Sequence, residues 1–216
     1  MASGEFITQH TQSLRLFPTR WARTRIAIVI AAVGLNVITG FTGQISIGHG
    51  AFIGVGAYSS AFLVSVVGVP FLPSVAIAGL ITAIVGSFFG IPSVRLKGLY
   101  LAIATFAAQF ILEFVFRTWS SVTGGSNGMS TGTASILNYE LSGDFSFFWL
   151  LLPMAILALL FVRNLARTAT GRALMAVRDH DLAAEIMGIS LFRTKVLAFA
   201  IGSFLAGIAG ALWGHY

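Results

Sequence analysis

The chain contains no cysteine. Disulfides, thiolate metal sites and cysteine nucleophiles are therefore excluded, and the absence says nothing about compartment. Charge is nearly as scarce. Only 9% of the 216 residues are Asp, Glu, Lys or Arg, against about 25% in an average soluble domain. No charged residue occurs from 26 to 94. Also lacking is any G-x-x-x-x-G-K-[ST] loop for nucleotide phosphates. No row of carboxylates could relay protons across a membrane. Glu113 is the only acid within an apolar segment, and Arg117 follows it by one helical turn. That spacing predicts an i,i+4 ion pair near the interface, in preference to a proton-coupling role. His10, His49, His180 and His215 are scattered and assemble no catalytic constellation. His49 has no Cys, Asp or Glu close in sequence, and metal sites need several ligands. No catalytic residue, cofactor or metal is expected.

What remains is apolar. Hydrophobic residues make up 56% of the chain. They gather near 26–43, 50–69, 71–92, 98–117, 147–163 and 196–214. Crossing the hydrocarbon core takes about 20 mostly apolar residues. The expected fold is an all-α polytopic membrane protein with about six membrane segments. A polar segment, 1–25, precedes the membrane domain, 26–216. No cleavable signal peptide is expected, because a long polar stretch precedes the first apolar segment without a small-x-small pattern. The 24 glycines fit helices that associate by close backbone approach. Gly50 and Gly54, Gly86 and Gly90, Gly202 and Ala206, and Gly210 and Gly214 have the required spacing. The net charge of +6 could suggest nucleic acid. The basic residues instead flank apolar segments as topology signals, so no nucleic-acid partner is expected.

Those signals give an orientation. The loop 163–195 holds Arg163, Arg167, Arg172, Arg178, Arg193 and Lys195, which assigns it to the cytoplasm. Arg95 and Lys97 assign the link between the third and fourth segments likewise. Residues 118–146 contain Glu140 and Asp144 but no Lys or Arg, and belong outside. Arg15, Arg20, Arg23 and Arg25 conflict with this scheme if three full crossings separate Arg25 from Arg95. A re-entrant segment, a violation of the charge rule, or a further upstream helix would each remove the conflict.

The stretch "GFTGQISIGHGAF", 40–52, is the least lipid-like part of the uncharged run. Gly40, Gly43, Gly48 and Gly50 each lower helix propensity by up to about 1 kcal/mol relative to Ala. A break in the helix is the expectation. Backbone that leaves the helix within a bilayer must be buried in protein or line water. Transporters use such broken helix ends to hold polar parts of a substrate. Gln44, Ser46 and His49, with Asn36 earlier on the same segment, suit a polar path. They suit interhelical hydrogen bonds at a tight packing corner equally well.

The loop 164–195, "NLARTATGRALMAVRDHDLAAEIMGISLFRTK", is too regular for a simple connector. A helical segment starts at Thr170-Gly171 and is interrupted at 178–181. Asp181 can cap a second short helix, and Gly188 can end it in the left-handed conformation. A short Ala-rich helix of this kind can dock in a partner's groove or lie on anionic lipid.

Four blocks resemble the permease subunits of branched-chain amino acid ABC importers. They are "GLNVITGFTGQISIGHGAFIGVGAYSSAFL" (34–63), "LKGLYLAIATFA" (96–107), "SVTGGSNGM" (121–129) and "GRALMAVRDHDLAAEIMGISLFRTKVLAFAIGSFLAGIAGAL" (171–212). The resemblance covers nearly all of the chain after about Arg25. It implies a subunit of the bacterial or archaeal inner (plasma) membrane. The implied partners are a second related permease, two cytoplasmic ATPases and an extracytoplasmic substrate-binding protein. ATP hydrolysis would then lie in the partners. Asn36, Gly43, Gln44, Ser46, Gly48 and His49 match the motif near the translocation path. Ala183, Ala184, Glu185 and Gly188 match the ATPase-docking motif of a coupling helix, with Arg178 and Asp179 just before it. Thr123, Gly124, Gly125 and Asn127 match an outer loop. Family members usually have an apolar helix before the segment at Ile26 and continue beyond the point matching Tyr216. The resemblance therefore implies a permease domain that is incomplete at its C-terminus. Urea and short-amide importers use similar subunits, which leaves that solute class as an alternative. A passive channel is another.

Overall fold

The computed structural model describes residues 24–125, 128–129, 135–136, 139–140 and 144–215. Most of the polar segment 1–25 lies outside them, as does Asn127. The architecture is helical. Helix α1 covers Thr24–Phe41, α2 His49–Ser65, α3 Phe71–Gly90, and α4 Leu99–Thr118. A short α5, Ser120–Thr123, caps the end of α4. Two-residue strands β1, Ser135–Ile136, and β2, Tyr139–Glu140, pair antiparallel. Then come α6, Asp144–Arg167, α7, Ala169–Asp179, α8, Asp181–Ile186, and α9, Leu191–Gly214. Among the described residues, five helices are long and apolar enough to cross a membrane: α1, α3 with its 3₁₀ extension to Val94, α4, α6 and α9. The chain is a multi-pass membrane protein, and each expected apolar segment has become a helix.

Helix α9 is the centre of the bundle, because its small residues let neighbouring backbones approach. Gly202 lies against Ile38 and the Gly34 backbone of α1. Gly207 lies against Thr82 and Gly79 of α3, and Gly210 against the Ile53 backbone of α2. Phe199, fully buried, fills the space beside Gly90. Three of the four expected glycine spacings thus serve helix packing. Gly50 is the exception, with open space where its side chain would be. Helix α6 shares an apolar cluster with α1 through Leu151, Ala155, Ala158 and Val162 against Ile30 and Ala31. Helix α4 meets α2 through Phe116 and Tyr58, whose ring centroids are 4.8 Å apart. Its other face, with Ile103, Phe110 and Phe114, is exposed, as lipid contact requires. Glu113 and Arg117 form the expected pair at 2.7 Å. Both are well exposed, so the pair contributes only tenths of a kcal/mol.

The two ends of the bundle differ. At one end, the tail of α1, the α3–α4 link and α7–α8 are joined by Arg178, Lys97 and Asp181. At the other, Ser60 of α2 bonds Ser74 of α3 at 3.1 Å and His215 at 2.9 Å. The first end holds the basic loops, the side that the charge rule assigns to the cytoplasm. Helix α1 therefore starts at the outer end, and Arg25 in its first turn departs from that rule.

Candidate functional site

Regular structure fails at the end of α1 that meets the basic loops. Its last five residues, Val37–Phe41, form a π turn, a distortion frequent at functional sites. Asn36 precedes it and is exposed, with its Oδ1 packed where a Gly40 side chain would stand. Gly43, at φ 67°, ends the helix. Its N–H donates to Thr39 O at 3.1 Å, and the Gln44 N–H donates to Ile38 O at 3.2 Å. This is the left-handed glycine cap, widened by the π turn.

Residues 43–48 then run as non-helical backbone, and they run back into the bundle. Gly48 lies against the Thr105 backbone of α4. The Ile47 N–H donates to Thr105 Oγ1 at 3.1 Å, and the Thr105 hydroxyl donates to Ala102 O at 3.0 Å. His49, the first residue of α2, bonds through Nε2–H to Ala31 O at 3.0 Å. Ala31 sits well back along α1 from Phe41, about 15 Å at 1.5 Å per residue. The expected break is therefore present at membrane depth. It also explains why α2 has only 17 residues.

Within the break the usual pattern of a membrane surface holds with a period of two. Gln44, Ser46 and Gly48 are buried, while Ile45 and Ile47 are about half exposed. Polar groups point into protein and apolar ones point out. Gln44 Nε2 donates to Thr42 Oγ1 at 2.8 Å, and Thr42 donates to Ile38 O at 2.6 Å. Gln44 Oε1, Ser46 Oγ and His49 Nδ1 are buried and have no hydrogen-bond partner among the described residues. Leaving a buried polar atom unpaired costs about 1–3 kcal/mol. Three such atoms on one short segment leave hydrogen-bonding capacity that water or a polar solute could satisfy.

The loop 164–195 packs directly against this end of α1. Thr168 caps α7, its Oγ1 accepting from Gly171 N at 3.1 Å. The helix starts at Ala169, one residue earlier than the sequence suggests. Leu174 and Val177 are fully buried. At the last turn, Arg178 donates from Nη1 to Gly40 O at 2.8 Å. His180, in extended conformation, is the joint to α8. Asp181 does not cap α8, contrary to expectation. His180 holds the cap position, and the Asp181 carboxylate instead accepts from Lys97 at 2.7 Å and Lys195 at 3.1 Å. Burial alone would raise its pKa. The hydrogen bonds and charges of the two lysines outweigh that and hold it below the usual carboxylate range. A cavity of ≈ 150 Å³ lies between Thr42 and Gln44 above and Arg178, Asp181, Lys97 and Lys195 below.

Helix α8 ends as the sequence predicts. Gly188 has φ 87°. Its N–H donates to Glu185 O at 2.9 Å and the Ile189 N–H to Ala184 O at 3.0 Å, both bonds of a Schellman cap. Ala184 is buried against the body. Asp179, Ala183, Glu185 and Gly188 are exposed. So are Leu182, Ile186 and Met187, the last two more than 80%. On the outer side, Thr123 is buried and donates to Trp119 O at 2.8 Å. Gly124 and Gly125 turn the chain with positive φ. Sequence reasoning missed Thr105, Lys97 and Lys195. Nothing local marks them, because each acts on a residue far along the chain.

Residues 17–216 match the family model described as the permease component of branched-chain amino acid transport systems. The LivM high-affinity branched-chain amino acid permease of Escherichia coli is 34% identical over 209 residues, 86% of this chain and 49% of that protein. A probable LivM permease of Methanocaldococcus jannaschii is 28% identical over 200 residues, 89% of this chain and 53% of that one. The autoinducer 2 import permease LsrC of Klebsiella pneumoniae is 32% identical over 137 residues, 62% of this chain and 37% of that one. This chain thus spans about half the length of the LivM relatives. No solved structure matches it.

Proposed function

Since the chain belongs to the permease family of branched-chain amino acid transport systems, we propose that it is a membrane subunit of an ATP-driven importer of those amino acids. It works in the inner membrane beside a second, related permease. Two cytoplasmic ATPases supply the energy, and an extracytoplasmic binding protein delivers the solute. The observation that carries this reading is the buried polar interval at 43–49, with Gln44, Ser46 and His49 turned inward and three polar atoms unpaired.

The chemistry suits the solute. An amino acid presents a zwitterion and, here, a branched apolar side chain. Gln44 Oε1 can accept from the ammonium group, and the Ser46 hydroxyl can donate to the carboxylate. The neighbouring Phe and Val side chains of α1 and α2 suit the hydrocarbon part. Helix α8 supports the ATPase role. It carries Leu182, Ile186 and Met187 exposed beside Glu185, on the end that also carries the basic residues. A groove on the ATPase would cover that apolar face. ATP binding then moves α8, and the break opens alternately to either side.

Reconstitution with the cognate ATPases and binding protein tests this. Leucine uptake that depends on ATP is the expected result. Uptake without nucleotide would indicate a channel, and uptake of urea in place of leucine would reassign the solute.

A further inference from the structure

We infer that Arg178 is the positioning residue that transmits movement of the cytoplasmic helices into the broken end of α1. The inference rests on the ATPase-docking reading of α8 and adds to it the route by which docking reaches the solute path.

Three observations point to it. First, Arg178 is the last-turn residue of α7 that reaches the break: its Nη1 donates to Gly40 O at 2.8 Å, inside the π turn. Its side-chain stem also packs on Gly43, where an added Cβ would stand 3.3 Å from Cγ. One side chain thus holds both the π turn and the glycine that ends the helix. Second, Asp181, three residues on, is held by Lys97 of the α3–α4 link and by Lys195 of α9. Lys195 is buried, so this clamp belongs to the rigid frame. A push on α8 therefore turns the α7–α8 corner about Asp181, with extended His180 as the joint. Third, the far end of the break is held separately, by Ile47 N–H on Thr105 of α4. Movement of Arg178 displaces one end of residues 43–46 while the other stays fixed, and Gln44 and Ser46 lie between. The cavity beneath Gln44 supplies room for that displacement.

The Arg178 side chain bonds Gly40 O and is not among the exposed apolar residues Leu182, Ile186 and Met187 at α8. Its loss should break transmission without removing the ATPase. The chain has no cysteine, so a single Ile45→Cys substitution, labelled before the complex is assembled, places a spin label on the break with no background from this chain. The complex with its ATPases is reconstituted in nanodiscs, and the label spectrum is recorded with and without ATP. In the parent complex ATP changes the spectrum. With Arg178→Ala the ATPase still copurifies, the ATP-dependent change disappears, and uptake falls at least about tenfold, the effect of about 1.4 kcal/mol. Arg178→Lys, which retains a donor for the Gly40 carbonyl, recovers part of both. An unchanged ATP response in Arg178→Ala overturns the inference. So does loss of the ATPase from Arg178→Ala alone, which would make Arg178 a docking contact. Absence of the ATPase from the parent complex would instead overturn the docking reading, and the inference with it.

Discussion

His49 Nε2 lies 3.0 Å from the Ala31 carbonyl oxygen, which ties the first residue of α2 to the middle of α1. The bond closes the break on itself, so the extended backbone between is held at both ends. Hydrogen bonds between helices in membranes contribute about 0.6 kcal/mol on average and up to about 1.7. His49→Ala should therefore lower stability by about 1 kcal/mol, read by thermal unfolding in detergent. His49→Gln, which still offers an N–H donor, should regain part of it. Equal loss in both would show that the ring's contact with Phe52, not the bond, matters.

Two glycines of α2 give a contrast. A side chain on Gly56 would collide with the Gly207 backbone of α9, whereas one on Gly50 meets nothing within 4 Å. Gly56→Val should cost about 1–3 kcal/mol or prevent assembly, since α9 cannot retreat from its three neighbours. Gly50→Ala should be neutral or stabilising, because Ala favours the helix by up to about 1 kcal/mol. Thermal unfolding of the two variants side by side checks this.

Asp181 gives a pH dependence. Its folded pKa lies below the ordinary value, so it binds its proton less readily folded than unfolded. The stabilisation is therefore complete above the unfolded pKa, about 3.9, and is lost as pH falls through the lower folded value. Thermal unfolding from pH 7 down to pH 3 should show a loss that is smaller in Asp181→Asn. That variant also leaves the buried Lys195 ammonium without its carboxylate, a loss on the order of 2 kcal/mol at pH 7. An identical pH profile in both proteins would remove the clamp from the account.

The spans were readable from sequence because lipid imposes one rule along the whole chain: runs of apolar residues long enough to cross. The break was readable because Gly40, Gly43, Gly48 and Gly50 weaken a helix, and Gly43 ends it with positive φ. Gly188 was readable for the same reason. Asp181 was misread because a capping carboxylate and an ion-pairing carboxylate look alike locally. Lys97 and Lys195, distant in sequence, decided between them. Gly50 was misread because spacing places two residues on one helix face without saying which neighbour that face meets. The inward turn of residues 43–48 could not be foreseen either, since it depends on Thr105 and Ala31 as partners.

Docking through α8 predicts that Glu185→Arg, on its exposed face, abolishes ATP-dependent uptake while membrane insertion stays intact. Gly188→Pro should do the same, because proline cannot adopt the φ of 87° that ends the helix. Uptake assays paired with quantification of membrane-inserted protein separate coupling from folding. Normal uptake in both variants would exclude α8 as the docking element.

The central claim is that the interval from Gly43 to His49 lines the solute path, with its polar residues facing that path and its isoleucines facing away. In this cysteine-free chain, single substitutions Gln44→Cys, Ser46→Cys, Ile45→Cys and Ile47→Cys can be probed in the assembled transporter with a charged, water-soluble thiol reagent. The account predicts that Gln44→Cys and Ser46→Cys react during turnover and are protected by leucine, while Ile45→Cys and Ile47→Cys remain unmodified. Modification of the isoleucine positions alone, or no protection by solute anywhere on the segment, would contradict it.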